Sequence, residues 1–257
     1  MSKENIAIIT GASSGMGREF VHQVMALYPK FDAIWVIARR ADRLELLRRE
    51  YPDKKVIPFV LDLTKAEDLE AFKTKLEVEM PNVRLLVNAA GFGRVGRFDA
   101  NDATCASDMV NLNCMALTTI TNLVLQHMPG RSRIINLASI ASFAPQPNFA
   151  VYAATKAYVL SFSRALRQEL KNREITVTAV CPGPVETEFF TVADPTQETP
   201  WIKQLMMDDP KAVVEQALWD TSYGKEISIH LPSMKALAVL EKIVPHRIIL
   251  EYMEKFL

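Results

Sequence analysis

The stretch NIAIITGASSGMGREFVHQVMALY (residues 5–28) decides the fold. Its first six residues form a continuous apolar, β-branched run of strand length, and from Gly17 onward the apolar residues return with helical spacing. Between the two lie Gly11, Gly15 and Gly17, where glycine allows a tight turn and a close approach of backbone to a pyrophosphate at the positive end of the helix dipole. Spaced glycines alone are weak evidence. With a strand before them and a helix after, they predict a dinucleotide-binding turn, in which Ser13, Ser14 and Met16 share the loop.

The same alternation runs outward from this unit. Strand-like runs follow at 33–38 (AIWVIA), 56–61 (VIPFVL), 84–89 (RLLVNA), 132–138 (SRIINLA), 175–180 (ITVTAV) and 226–230 (EISIH), with helical segments such as AEDLEAFKTKLEVEM between them. The runs are apolar throughout rather than alternating, as expected of strands covered on both faces. They predict one α/β domain: a doubly wound parallel sheet of about seven strands with helices on both faces, wound by right-handed crossovers. The catalytic domain is expected to span 1–232, with a long loop or lid near 184–210 and an appended helical tail over 233–257 in which Pro245 breaks the helix.

At 257 residues and 49% apolar, the chain has enough hydrophobic sequence to build a sizeable core. Its 30 basic and 30 acidic side chains cancel, which leaves no electrostatic case for nucleic acid as a partner and points to a small molecule. Cys105, Cys114 and Cys181 are odd in number and lack close spacing, and the four histidines do not cluster with them, so neither disulfides nor a metal site are expected. The start shows no basic segment leading into a long apolar one, and no uncharged run reaches the roughly 18 residues of a membrane span. A cytoplasmic setting is the expectation.

Several residues at the strand ends carry chemistry. Arg39 and Arg40 follow the second strand, where a site for NAD usually has an acidic residue, and two guanidiniums there suit a 2′-phosphate. Asp62 and the backbone of Leu63, at the end of the third strand, could face an adenine ring, and Thr64 with Glu67 reads as a capping box for the next helix. Asn88, Ala89 and Gly91 close the fourth strand on the same edge. In NFAVYAATKAYVLSF (148–162), a helical step of roughly 100° per residue puts Tyr152 and Lys156 about 40° apart and sends Tyr158 to another face. An ammonium fixed near a phenol favours the phenolate, so Lys156 would lower the Tyr152 pKa and tune it toward proton exchange near neutral pH; a tyrosine and a lysine that merely snorkel from a packed helix fit the helix alone equally well. Ser139, directly after the fifth strand, is the choice over Ser142 for a hydroxyl that donates to a carbonyl oxygen, the alternative being a serine that simply caps a turn.

Taken in order, TGASSGMG, LDL, NAAG, NLNCMALT, NLASIAS, YAATK and CPGPVET resemble the short-chain dehydrogenase/reductase family over about residues 4–190. The resemblance implies a Rossmann-type fold and an NAD(P)-dependent oxidoreductase with Tyr152 as general acid/base and Lys156 on the nicotinamide ribose. It implies that Ser139 orients the substrate and that Asn113, with Asn111 as the alternative, holds a water behind Lys156. Pro182, Gly183, Val185 and Thr187 would surround the nicotinamide. NADP(H) is expected over NAD(H).

Phe92, Phe143, Phe149, Phe189, Phe190, Trp201, Met206 and Met207 suit a hydrophobic ketone or alcohol, such as a steroid or acyl compound, about as well as they suit core packing. The tail departs from simple family members and resembles extensions of those handling bulky or lipid-like substrates. Its stripe of Ile249, Tyr252, Met253, Phe256 and Leu257 would pack on the domain or on a second subunit, a homodimer first, with peripheral membrane contact as the lesser alternative. The competing function is a cofactor-binding, redox-sensing regulator with little turnover.

Overall fold

The computed structural model describes residues 3–100, 102–193 and 207–254. Seven parallel strands form one sheet: β1 (Asn5–Thr10), β2 (Ala33–Ala38), β3 (Val56–Val60), β4 (Asn82–Asn88), β5 (Arg133–Leu137), β6 (Thr176–Val180) and β7 (Ile227–Ser228). Their order is β3-β2-β1-β4-β5-β6-β7. The chain winds outward from β1 in one direction and then restarts beside it at β4, so a crevice opens between the carboxyl ends of β1 and β4, where ligands lie in such sheets.

Successive side chains on a strand face opposite ways. Ala7 and Ile9 of β1 therefore enter one core with Phe20, Val21 and Val24 of α1 (Gly15–Leu27), Leu44 and Leu47 of α2 (Ala41–Glu50), and Val214 and Leu218 of a later helix over Pro210–Ser222. Ile6 and Ile8 enter the other, with Phe72 and Leu76 of α3 (Ala66–Glu79), Ile120 and Val124 of α5 (Leu117–Leu125), and Leu166 of α6 (Ala150–Glu169). Each of the larger of these side chains contributes about 1.5–3 kcal/mol of apolar burial. Two-sided burial is why the strand runs lack alternation. Pro58 is tolerated because β3 is an edge strand.

Three expectations change in detail. The strand expected at 226–230 has only two residues, Ile227 and Ser228, at the sheet's other edge, where short strands limit unwanted pairing. The Thr64–Glu67 capping box does not form. Asp62 takes the Thr64 hydroxyl (2.7 Å) and backbone N–H (3.1 Å) into an Asx turn, and α3 begins after Lys65 without a side-chain cap. The segment expected to be a loop after 184 includes a helix, α7 (Glu188–Ala193). Where that segment returns, Asp208 bridges Val185 by backbone pairing, with its N–H on the Pro184 carbonyl at 2.8 Å.

After α8 (Pro210–Ser222), the tail forms α9 (Pro232–Ile243) and α10 (His246–Glu254), broken at Pro245. Met234 and Ala238 of α9 are buried with Ile140, Val159 and Ile229 of the same chain. Ile249 is half-buried, and the side chains of Tyr252, Met253, Phe256 and Leu257 lie outside what is described. Among the described residues, no helix is long and apolar enough to cross a membrane.

Candidate active site

The crevice is built first by backbone. Gly11 has φ +69°, a left-handed conformation that glycine adopts without steric cost, and a Cβ on Gly17 would lie 2.2 Å from the Gly11 carbonyl oxygen. Only glycine lets the loop fold so tightly onto the start of α1. Ser14 is the N-cap of α1 yet makes no side-chain cap bond, which leaves the first N–H groups of the helix to a ligand. Thr10 closes the floor. Its hydroxyl accepts from Ala89 N (3.1 Å) and Ala90 N (3.2 Å), tying the two loops that flank the crevice.

Further along the sheet edge, four polar residues meet in apolar surroundings. Ser139, Tyr152, Lys156 and Asn113 are 8%, 7%, 5% and 1% exposed, so their polar atoms depend on protein partners. The Ser139 hydroxyl accepts from Ala141 N at 3.2 Å and faces the Tyr152 phenol closely enough to favour its ionised form. Lys156 Nζ donates to the Leu137 carbonyl at 2.7 Å and stands 5.6 Å from the centre of the Tyr152 ring. Asn113 accepts from Phe92 N (3.0 Å) and donates to Phe92 O (2.9 Å) and to the Thr155 hydroxyl (3.0 Å). It sits in a π-helical turn (Asn111–Ala116) between α4 (Ala103–Val110) and α5, a distortion that recurs at functional sites.

Burial pushes the Tyr152 phenol up to about 12, with the Ser139 hydroxyl opposing it. Burial likewise pushes Lys156 down to about 8. The expected lowering of Tyr152 by Lys156 is therefore not what this geometry produces: burial dominates, and Lys156 donates to the Leu137 carbonyl rather than to the phenol. Near neutral pH Tyr152 is a protonated phenol, a proton donor in waiting. Lys156 is an unusually acidic ammonium beside it.

A family model described as short chain dehydrogenase matches residues 5–198. The chain belongs to the short-chain dehydrogenases. Sulfoacetaldehyde reductase 2 of Chromohalobacter salexigens is 33% identical over 73% of this chain and 75% of its own. A short-chain dehydrogenase from Sphingobium yanoikuyae, solved with NADPH, superposes at TM-score 0.77 with 27% identity, covering 94% of this chain and 96% of that one. The bulky-bulky ketone specific alcohol dehydrogenase from Comamonas testosteroni gives TM-score 0.74, 27% identity and coverage of 95% and 96%. As a family member the chain is an oxidoreductase, moving a hydride between a nucleotide cofactor and an alcohol or carbonyl carbon.

This short-chain dehydrogenase sorts its candidate residues by what they touch. The two serines separate: Ser142 accepts from Ser139 N at 3.3 Å and so braces the turn, whereas Ser139 faces Tyr152. Asn113 is the buried asparagine and Asn111 is exposed. Tyr158 points elsewhere, with its hydroxyl 2.8 Å from that of Thr118 and its ring stacked on Phe162. Asn88 is buried, its amide donating to Thr121 and to Asn136 at 2.9 Å each, so its part in the crevice is limited to backbone. Leu63 and Val185 have side chains in the cores, and Met16 packs against one of them.

Toward the adenosine end, Arg40 lies over the glycine loop, donating to Ser13 Oγ (3.0 and 3.2 Å) and Ser14 Oγ (2.6 Å). Arg39 is exposed, and its charge acts on Asp62. Burial pushes the Asp62 carboxyl up, but the Thr64 hydrogen bonds and the Arg39 and Lys65 charges bring it below its ordinary value. At the opposite end, Pro182 O accepts from Ile140 N at 2.9 Å, and Gly183 is packed against Met234 of the tail. Thr187 lies against Gly15.

A nicotinamide dinucleotide fits these residues. A Cβ on Gly91 would come 2.9 Å from Asn113 Oδ1 and 3.5 Å from Lys156 Nζ, so glycine there keeps the approach to Lys156 clear. Around Tyr152, Phe149 stacks at 4.2 Å and Phe189 tilts at 5.4 Å, with Phe92 packed beside them. Phe143 instead packs near Ile140 and Ile229. Met207 is half-buried, while Trp201, Met206 and the Phe190 side chain lie outside the described residues.

Thr10, Thr155 and Glu188 were not singled out by sequence reasoning. Thr10 had a signal, since a threonine ending a strand before a glycine turn has its hydroxyl free for the neighbouring loop. Thr155 and Glu188 act through long-range contacts, which no spacing announces.

Proposed function

We propose that the chain is an NADP(H)-dependent carbonyl reductase or alcohol dehydrogenase acting on a hydrophobic ketone or secondary alcohol. The observation that carries the reading is the buried Tyr152, with Ser139 acting on its phenol, Lys156 5.6 Å from its ring, and Phe149 and Phe189 walling it. An apolar wall with few convergent polar groups suits a hydrophobic substrate held by its single oxygen. Arg40 on Ser13 and Ser14 supports NADP(H), because a guanidinium pairs with a 2′-phosphate, which NAD(H) lacks.

In the reductive direction, the Ser139 and Tyr152 hydroxyls hold the substrate oxygen. The bound nicotinamide supplies the hydride to the carbonyl carbon. Tyr152 gives its phenol proton to the oxygen as charge develops there, and the phenolate left behind is stabilised by the Ser139 hydroxyl and the nearby Lys156 ammonium. Lys156, pushed down to about 8, can return a proton at little cost. Gly11, Gly15, Gly17 and Arg40 would bind the phosphates, Asp62 and the Leu63 backbone the adenine, Lys156 the ribose, and Thr187 the nicotinamide amide. No observation favours the turnover-poor regulator.

The test is NADPH oxidation followed across ketones, aldehydes and steroids, with Tyr152→Phe in parallel. Loss of one acid group should lower turnover by about 10²–10⁴-fold, while NADPH binding is kept. Activity retained in Tyr152→Phe would overturn the assignment. Preference for small polar carbonyls would overturn the substrate reading alone.

A further inference from the structure

We infer, building on the NADP(H) reading, that Glu188 is a specificity-determining residue: it occupies the arginine site of the cofactor's 2′-phosphate and is displaced by it, which links cofactor choice to the substrate wall. Its carboxylate spans two guanidiniums, with Oε2 3.1 Å from Arg40 Nη1 and Oε1 2.5 Å from Arg43 Nη1. Arg40 at the same time donates to Ser13 and Ser14 in the glycine loop. Two cations beside two hydroxyls form an arrangement for an anion, here filled from within the chain.

A phosphate monoester carries close to two negative charges near neutral pH and three acceptor oxygens, against one charge and two oxygens for Glu188. The ion pairs it must break are weak, because Arg40, Arg43 and Glu188 keep 41%, 36% and 50% of their side-chain surface in water. A 2′-phosphate therefore wins the arginines. A 2′-hydroxyl has no charge with which to compete.

The neighbours of Glu188 give the exchange its consequence. Thr187 lies against Gly15, where an added Cβ would sit 3.4 Å from its Cβ, and Phe189 stands 5.4 Å from the Tyr152 ring. Three successive residues thus strap across the crevice, from glycine loop to arginines to catalytic tyrosine. Releasing Glu188 removes the ionic anchor of the strap and frees the start of α7, which carries Phe189. NAD(H) leaves that anchor in place.

The test compares 2′,5′-ADP with 5′-AMP, which differ only by the 2′-phosphate and carry no nicotinamide, in the full chain and in Glu188→Gln and Glu188→Ala. Losing two surface ion pairs as competitors should tighten 2′,5′-ADP binding about five-fold, within roughly 2- to 10-fold, and change 5′-AMP less than about two-fold. Amide hydrogen exchange over 188–193 should rise when 2′,5′-ADP binds the unaltered chain, and should already be raised in Glu188→Gln. Unchanged 2′,5′-ADP affinity in both variants, equal tightening of both ligands, or no exchange response to 2′,5′-ADP would overturn the inference. If the unaltered chain binds 2′,5′-ADP no better than 5′-AMP, the NADP(H) reading itself fails; if it discriminates and the variants match it, only the role of Glu188 fails.

Discussion

Replacing Lys156 by methionine should abolish activity and yet stabilise the protein near neutral pH. The fall from the ordinary lysine value of 10.5 to about 8, at about 1.4 kcal/mol per pKa unit, means that keeping Lys156 charged in its buried site costs the fold about 3 kcal/mol. Methionine is unbranched and of similar length, so it fills the space. Against this gain, the Leu137 carbonyl loses its donor, at about 1–3 kcal/mol. The burial cost wins narrowly, leaving the variant about 1 kcal/mol more stable near pH 7, or about 2–4 °C in Tm for a domain of this size.

The sign of the pH dependence separates this account from a packing effect. Lys156 has a folded-state pKa below its unfolded one, so between about pH 8 and 10.5 the unfolded chain binds more protons and the native protein gains stability as pH rises. The unaltered protein should therefore overtake the variant by about pH 10. Tyr152, at about 12, stays protonated through that window, and other titrating groups are shared by both proteins. Urea unfolding of both at about pH 7 and about pH 10 measures it. A stability difference that does not move with pH, or a variant several kcal/mol less stable near pH 7, would refute the reasoning.

Burial raises the Glu241 carboxyl to about 7, and its Oε2 has no partner among the described residues. Its folded pKa lies above the unfolded one, so its contribution is present below about 4.5 and lost as pH rises through about 7. Glu241→Gln should be about 1–2 kcal/mol more stable than the unaltered protein near pH 8.5 and nearly equal to it near pH 4, as read by Tm; a constant difference would count against it. Gly17→Ala, whose Cβ would meet the Gly11 carbonyl oxygen at 2.2 Å, should cost at least about 3 kcal/mol and most NADPH binding; a variant titrating normally would mean that the loop relaxes easily. Truncation after Met234 strips Ala238 from its cluster with Ile140 and Ile229 and should cost about 2–4 kcal/mol. Light scattering and flotation on lipid vesicles with the same truncation report whether the tail also joins subunits or meets a membrane.

The strand–glycine–helix opening, the seven strands and the break at Pro245 were legible because each rests on local chemistry: apolar runs, glycine turns, a missing N–H. The pairing of Tyr152 with Lys156 was legible for a similar reason, since helix geometry alone puts them on one face. The Thr64–Glu67 box failed because local motifs compete, and Asp62, itself bonded by Asp68 at its N–H (2.7 Å), took Thr64 first. The choice between Asn111 and Asn113 waited for the helix to distort at that turn.

By itself, the sequence determined which residues could do chemistry here and the order in which the sheet would present them, because periodicity and turn preferences act over a few residues. Only the tertiary structure decided how deeply those residues are buried, and so that Tyr152 waits as a protonated phenol with an acidic Lys156 behind it. It alone brought Glu188, about 148 positions away in the chain, onto Arg40. Desolvation and charge pairing depend on what the rest of the fold packs around a group, which no local pattern encodes.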